Sequence, residues 1–284
     1  MKRDTGAATF FLCFPLAVLV VLTASLGIFA DDLYVRETEN WKSQSIAQDM
    51  FNLIIIAPVL LTSSSFSFFK KRTGIFITVG TLLFLIYSFT IYCFSVHFNQ
   101  LFLVYCLILG LSVYIFAFLM SSLSATLVSE WFDEKIPTKI TSRFLILVAL
   151  LFCFLWLREI IPAMIQNKTP KSIETAGLLT NPVQVLDLSI FLPAFIFIAC
   201  FLLKKNKIAI MLTPIVLVFF VLMNMNMIFI LIKSSGGQRI FSMILIVGFL
   251  FFASIILLFV FLNRLKKKST MLSFTHFYGD ESYS

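Results

Sequence analysis

Seven polar side chains have the types and positions to do chemistry, because each lies inside or at the edge of a long apolar stretch of this 284-residue chain. Ionisable and amide groups are costly inside a bilayer, so they tend to mark ion, proton or ligand sites. The seven are Glu159, Asp187, Asp49, His97, Asn99, Asn52 and Asn224. We predict that they line one outward-facing pocket that could hold a small solute.

Glu159 is the first candidate among them. From Arg143 to Glu159 a helix would rise about 24 Å, which places the carboxylate near the outer edge of the hydrocarbon. It also falls at the end of its helix, where the helix dipole opposes a negative charge. Arg158, His97, a bound cation or a proton could compensate that charge, and solvation by the following loop explains the residue equally well.

Asp49 and Asp187 have a structural explanation as well as a functional one. Each begins an apolar stretch, and aspartate is favoured at a helix N-terminus. His97 and Asn99 follow the third stretch, where a histidine is favoured at a helix C-terminus. Helix-end chemistry and a shared pocket therefore both remain open for these four residues.

The elements that must position these residues are transmembrane helices. The chain is 60% hydrophobic and 13% charged, whereas soluble domains are about 25% charged. A helix needs about 20 apolar residues to cross about 30 Å of hydrocarbon. Eight stretches qualify, at residues 8–30, 49–69, 74–96, 101–127, 142–161, 184–203, 208–232 and 240–263. We predict an all-α, polytopic transmembrane helix bundle that forms a single domain over 1–284.

Basic residues predict the orientation of this bundle. With the N-terminus inside, the inner segments carry 15 of the 22 Lys and Arg residues and the outer segments carry 7. This bias predicts that both termini are cytoplasmic, including a tail at 265–284. The net charge of +8 lies in clusters at helix ends, so the expected partner is the lipid bilayer and not nucleic acid.

The two halves, 1–140 and 141–264, share a pattern. Asp49 and Pro58 precede a basic turn in the first half, and Asp187 and Pro193 precede one in the second. Four spans per half is an even number, so the halves would share one orientation. We predict a 4+4 parallel internal repeat, with a pseudo-twofold axis along the membrane normal.

Cofactor and metal chemistry have no support in the sequence. The five cysteines all lie in apolar stretches, and no two form a CxxC pair. This usage favours small buried side chains over a disulfide framework or a zinc site. We predict no cofactor and no metal, name no catalytic residue, and favour a protein that is not an enzyme.

Four segments carry a resemblance to an uncharacterised family of bacterial multi-pass integral membrane proteins. They are QDMFNL (48–53) with Pro58, FNQLFL (98–103) after Tyr87 and Tyr92, WLRE (156–159) with Pro162, and NPVQVLDL (181–188). The resemblance implies an integral membrane protein of about eight helices in a bacterial plasma membrane. It implies no activity, cofactor or catalytic residue.

Three functions remain open at this point. A permease or small-solute binder is favoured by eight spans in two similarly oriented halves with polar residues on one side. An accessory or sensory subunit, associated with itself or with another membrane subunit, would use the long segments 31–48 and 162–183. A membrane-embedded enzyme would act at the outer leaflet through its carboxylates and His97.

Overall fold

The computed structural model describes residues 5–233 and 238–266, without the side chains of 238–242. Within these residues the fold is all-α, and eight helical segments are long and apolar enough to cross a membrane. The predicted eight-span bundle is confirmed, and the chain is a multi-pass membrane protein. The predicted tail at 265–284 lies outside the described residues, except for 265 and 266.

Twelve α-helices and two π-helices make up the described chain. In order they are α1 (Thr5–Phe29), α2 (Glu39–Phe51), the π-helix π1 (Asn52–Ile56), α3 (Ala57–Phe68), α4 (Arg72–Ser95), α5 (Phe102–Ser122), α6 (Ala125–Glu130), α7 (Thr138–Ile165), α8 (Lys171–Ala176), α9 (Pro182–Leu186), the π-helix π2 (Asp187–Phe191), α10 (Leu192–Leu203), α11 (Lys207–Lys233) and α12 (Gln238–Leu262). The second span is α2–π1–α3, and the sixth is α9–π2–α10.

The two ends of the bundle differ in chemistry. One end, called here the basic end, carries the turns 69–71 and 204–206 with their lysines. The opposite end, called the loop end, carries the connecting segments 30–38, 96–101 and 166–181. Of the sequence-predicted site residues, His97 and Asn99 lie in the segment 96–101, and Glu159 lies near the end of α7 that leads into 166–181.

The second and sixth spans are built to the same plan. In each, five residues of π-helix precede twelve residues of α-helix. Residue 52 begins the first π-helix and residue 187 begins the second, a shift of 135 residues. The following α-helices, Ala57–Phe68 and Leu192–Leu203, begin and end under the same shift.

The turn after each of these spans also keeps the shift. Lys70 and Lys205 both have positive φ, at 60° and 52°, a left-handed conformation that commonly ends a helix. The next helices begin at Arg72 and Lys207, again 135 residues apart. The register is therefore continuous from the π-helices through the basic turns.

Proline explains why both spans contain a π-helix. Pro58 and Pro193 occupy the second position after the π-helices. A proline has no N–H to donate to the carbonyl one turn before it, and its ring presses on that carbonyl. The preceding turn widens in response, and such π-turns inside α-helices often occur at functional sites.

The second and sixth spans begin earlier than the apolar pattern predicted. α2 begins at Glu39, where the Thr38 hydroxyl accepts a hydrogen bond from the Trp41 N–H. α9 begins at Pro182 under an Asn181 cap. Asp49 and Asp187 are therefore not N-terminal capping residues, and the helix-end explanation of these two carboxylates is wrong.

Helices α4 and α11 cross at the centre of the bundle. A Cβ atom built on Gly80 would lie 2.5 Å from Val218 Cβ and 2.9 Å from the Ile215 carbonyl oxygen. Residue 215 corresponds to residue 80 under the shift of 135, so equivalent positions of the two helices touch each other. The missing side chain of Gly80 sets how closely these helices approach.

We expect Gly80→Ala to destabilise the bundle. The added methyl group would overlap the α11 backbone, and overpacking of this kind costs about 1–3 kcal/mol. Thermal unfolding of the purified protein in detergent measures the loss. Gly248→Ala is the matched control, because a Cβ there meets nothing within 4 Å, and it should be neutral or stabilising. Equal stability of the two variants would contradict the close crossing.

Candidate functional site

Asp49 is buried inside the second span and is held by two tyrosines. The residue is only 2% exposed. The Tyr34 hydroxyl donates to Oδ2 and the Tyr92 hydroxyl donates to Oδ1, each at 2.7 Å. Gly27 of α1 lies against the carboxyl group with no room for a side chain. Four separate segments therefore shape this site.

Tyr34 reaches Asp49 from the segment 30–38, which folds back over the end of the helices. Burial is the main reason that the pKa of the Tyr34 phenol is raised well above its usual value. The phenol consequently stays protonated at neutral pH and remains a donor to Asp49. The loop segment thus covers Asp49 and completes its hydrogen bonding at the same time.

Asp187 forms a second site of the same kind at the start of π2. The Tyr87 hydroxyl donates to Oδ1 at 3.1 Å, and the Trp156 Nε1–H donates to Oδ2 at 2.9 Å. Tyr87 belongs to α4 in the first half of the chain, whereas Trp156 belongs to α7 in the second. This carboxylate therefore joins the two halves.

The two sites share an electrostatic property. Each carboxylate receives two neutral donors, and the only salt-bridge contact within residues 5–233 and 243–266 is between His97 and Glu37. A charge without an opposite charge is costly in a low-dielectric interior, even when it is hydrogen-bonded. Both sites have the chemistry to bind a proton or a small cation.

A chain of amides links α11 to α2 beside Asp49. Asn226 Nδ2 donates to Gln48 Oε1 at 2.5 Å, and Gln48 Nε2 donates to Asn52 Oδ1 at 3.0 Å. Asn226 Oδ1 is buried without a partner. Asn224 is not part of this chain, because its amide donates to the Phe220 carbonyl of its own helix. The amide chain is a second polar link between the halves.

Glu159 caps a short helix and forms no ion pair. Its Oε1 accepts the Ser172 N–H at 2.9 Å, near the start of α8 (Lys171–Ala176). Its Oε2 lies 3.5 Å from Gln184 Nε2, which is a weak contact. A carboxylate at a helix N-terminus is stabilised by the free N–H groups there, so the structure supplies the compensation that the sequence required.

His97 and Asn99 lie at the loop end and help to form a cavity. The buried Glu37 carboxylate accepts the His97 backbone N–H at 2.7 Å and contacts His97 Nδ1 at 2.9 Å. Asn99 Oδ1 accepts the Leu101 N–H at 2.9 Å. Both residues line a cavity of about 310 Å³ between the end of α1, the segment 30–38 and the segment 96–101.

The seven predicted residues thus lie at several separate sites and not in one pocket. His97 and Asn99 share the cavity, Asp49 lies behind it against the tyrosines, and Asn52 belongs to the amide chain. Asp187 of π2 accepts a hydrogen bond from α7, and Glu159 of α7 contacts α9. Asn224 donates to a carbonyl of its own helix.

Sequence reasoning missed the residues that complete these sites. Tyr34, Glu37 and Gln48 lie in the segment that looked like an extended loop, and Gly27 looked like an ordinary residue of the first span. A polar–apolar pattern from Trp41 to Asp49 was the available signal for an early start of α2. No pattern in the sequence indicates that Tyr34 folds back onto Asp49.

Comparisons with known proteins supply no further identity. No protein family, curated protein or solved structure matches the chain. In the part of the chain that the structure describes, no group of three or more His, Cys, Asp or Glu residues could hold a metal ion. The functional argument therefore depends on the geometry of the sites.

Proposed function

We propose that this protein is a permease that moves a small solute across a bacterial plasma membrane, with a proton or small cation bound at Asp49 and Asp187. One observation carries the proposal. Two membrane-embedded carboxylates each receive neutral donors and have no cationic partner among the described residues. Intramembrane carboxylates of this kind are typical of ion and proton pathways.

The positions of the two carboxylates support a transport cycle. Asp187 begins π2, and Asp49 lies one helical turn before π1. Interrupted helices near the interface of two repeats are the usual location of transporter sites. The shared register supports a 4+4 parallel repeat in which residues 5–140 and 141–264 move as bodies about the α4–α11 crossing.

Ion binding would change the hydrogen bonds that hold the halves together. An ionised carboxylate only accepts hydrogen bonds, whereas a protonated one also donates. Tyr87 crosses from the first half to Asp187, and Asn226 crosses from the second half to Gln48. A proton or cation bound at Asp187 would weaken the hydrogen bond from Tyr87. This loss would favour a different arrangement of the two halves.

The orientation follows from the basic end. Lys70, Lys71, Lys204 and Lys205 lie in its two turns, and such residues are enriched in cytoplasmic segments. The basic end would face the cytoplasm with both termini, and the loop end would face the outside. Solute would then enter from the cavity beside His97.

A sensory subunit is the second candidate. It is favoured by the Thr38 hydroxyl, which donates to the Thr175 carbonyl and so connects the two loop-end segments at 3.1 Å. A ligand in the cavity could move these segments without crossing the membrane. Ligand binding without flux would identify this function.

The test is transport by the full-length protein in proteoliposomes. Concentration jumps of amino acids, carboxylates, amines, sugars and nucleosides are applied under a pH or sodium gradient, and currents are recorded on a solid-supported membrane. We expect current from one class, with at least about tenfold loss in Asp49→Asn and in Asp187→Asn. Absence of current for every class, or undiminished current in both variants, would exclude coupled transport through these residues.

Glu159→Gln is the matched control for these amide substitutions. It makes the same chemical change at the same end of the bundle. A glutamine oxygen can still accept the Ser172 N–H, so we expect near-wild-type current. A loss as deep as that of Asp187→Asn would assign Glu159 a role beyond capping α8.

A further inference from the structure

We propose that the loop-end cavity binds a free α-amino acid as its zwitterion; this inference rests on the proposed function, because it names the solute class of the permease. The cavity of about 310 Å³ is at the small end of the range for ligand pockets. Its apolar wall comes from Leu26, Leu33 and Leu101. Such a wall suits an aliphatic side chain.

The cavity wall also carries one free charge of each sign. Asp32 and Arg36 both line it. Neither has an ion-pair partner among the residues that the structure describes, and the only side-chain hydrogen bond of Arg36 there is to the Phe98 carbonyl at 3.3 Å. A zwitterion offers an ammonium group to Asp32 and a carboxylate to Arg36, which a neutral sugar or a simple anion does not.

An unused donor lies beside Arg36 in the same wall. Asn99 Oδ1 is occupied by the Leu101 N–H, which fixes the amide so that Nδ2 is the donor. Asn99 Nδ2 is buried without a hydrogen-bond partner. The hydroxyl of Tyr105, which lies near Asn99 and does not line the cavity, is also buried without one. Buried donors without partners are rare and call for an acceptor. A ligand carboxylate, directly or through one water molecule, is that acceptor.

His97 adds a further polar atom to the cavity. Its Nδ1 lies 2.9 Å from Glu37 Oε2. The other ring nitrogen, Nε2, has no partner in the described part of the chain. The Glu37 contact fixes the ring, so Nε2 is available to a polar group of the solute.

The cavity is next to the proposed ion site. Leu26 lines the cavity, and its neighbour Gly27 faces the Asp49 carboxylate. Tyr105 packs on Tyr92 with ring centroids 5.1 Å apart, and Tyr92 donates to Asp49. A solute bound to Asn99 would act on the neighbouring Tyr105 and so on the tyrosine pair that holds Asp49, which couples solute binding to ion binding.

The test is equilibrium binding of each of the twenty L-amino acids to the full-length protein in lipid nanodiscs, by isothermal titration calorimetry. The best binder is then compared with its two analogues that lack either the ammonium or the carboxylate group. We expect saturable binding of at least one amino acid. Each analogue should bind about tenfold more weakly, the effect of losing one charge-assisted hydrogen bond.

Three variants assign the two charges of the ligand. Asp32→Asn should weaken the amino acid about tenfold and leave the analogue without the ammonium group unaffected. Arg36→Gln should weaken the amino acid about tenfold and leave the analogue without the carboxylate unaffected. Asn99→Asp removes the donor and adds a negative charge, so it should weaken every ligand that carries a carboxylate. Asp31→Asn and Arg158→Gln are matched controls, because both are exposed and neither lines the cavity.

Each outcome decides the proposal separately from the permease function. Failure of all twenty amino acids to bind, or equal binding in the three variants and their controls, would overturn the zwitterion site. Flux of another solute class would then leave the permease function standing. Amino acid binding that the three variants weaken, without any flux, would support the site and reject the permease.

Discussion

Gly27→Ala is expected to displace the Asp49 carboxylate and to abolish both transport and much of the stability. A Cβ at this position would overlap Asp49 Oδ2 and lie 2.6 Å from its Cγ. The carboxyl group has no free rotation available, because Tyr34 and Tyr92 hold both oxygens. Loss of the two hydrogen bonds would cost about 3–6 kcal/mol, since each bond to a charged group contributes about 1.5–3 kcal/mol.

Thermal unfolding and proteoliposome currents measure these two effects. Gly110→Ala is the control, because a Cβ there meets nothing within 4 Å and alanine is favoured over glycine inside a helix. We expect it to retain activity and to match or exceed wild-type stability. If Gly27→Ala behaves like Gly110→Ala, the close contact between α1 and Asp49 does not exist in the membrane.

The double substitution Tyr34→Phe/Tyr92→Phe is expected to leave Asp49 buried without its two donors. Removing the partners of a buried charged group costs about 3–5 kcal/mol, because the group retains its desolvation penalty. Each single substitution should cost about 1–3 kcal/mol. The phenylalanine rings keep the packing, so the loss isolates the hydroxyl groups.

Tyr114→Phe is the control for the tyrosine variants. Tyr114 is 76% exposed on α5, and loss of its hydroxyl should change stability by less than about 0.5 kcal/mol. Transport measured in parallel should fall only when Asp49 loses donors. A double variant as stable and active as Tyr114→Phe would show that the tyrosines do not hold Asp49.

The spans were predictable because hydrocarbon thickness imposes a length on every crossing helix. The start of α2 was not, because residues from Glu39 to Gln48 are mostly polar and their helix extends beyond the apolar segment. Asp49 therefore looked like a helix end, although it lies one turn before π1. The distinction decides its chemistry, since an end residue is solvated and a buried one is not.

The correspondence between the halves was predictable only in part. The sequence pattern paired Asp49 with Asp187 by their order before a proline. The shared shift of 135 residues instead pairs Asn52 with Asp187, and each begins a π-helix six residues before proline. The missing information was the π-helix itself, because proline alone does not say how the turn before it rearranges.

The site partners could not be predicted from the sequence, because they depend on tertiary contacts. Tyr34 and Tyr87 lie far along the chain from the carboxylates that they bind, with 15 residues separating Tyr34 from Asp49 and 100 separating Tyr87 from Asp187. Nothing local marks a tyrosine as the donor to a distant aspartate. The seven polar residues were individually visible, but their grouping into separate sites was not.

The most direct test of the account is gradient-driven accumulation of the transported solute in proteoliposomes. With a pH or sodium gradient imposed, the wild-type protein should concentrate the solute above its external level. The variant Asp49→Asn/Asp187→Asn should bind the solute but only equilibrate it. Accumulation by the double variant to the wild-type level would contradict the proposal that these two carboxylates bind the coupling ion.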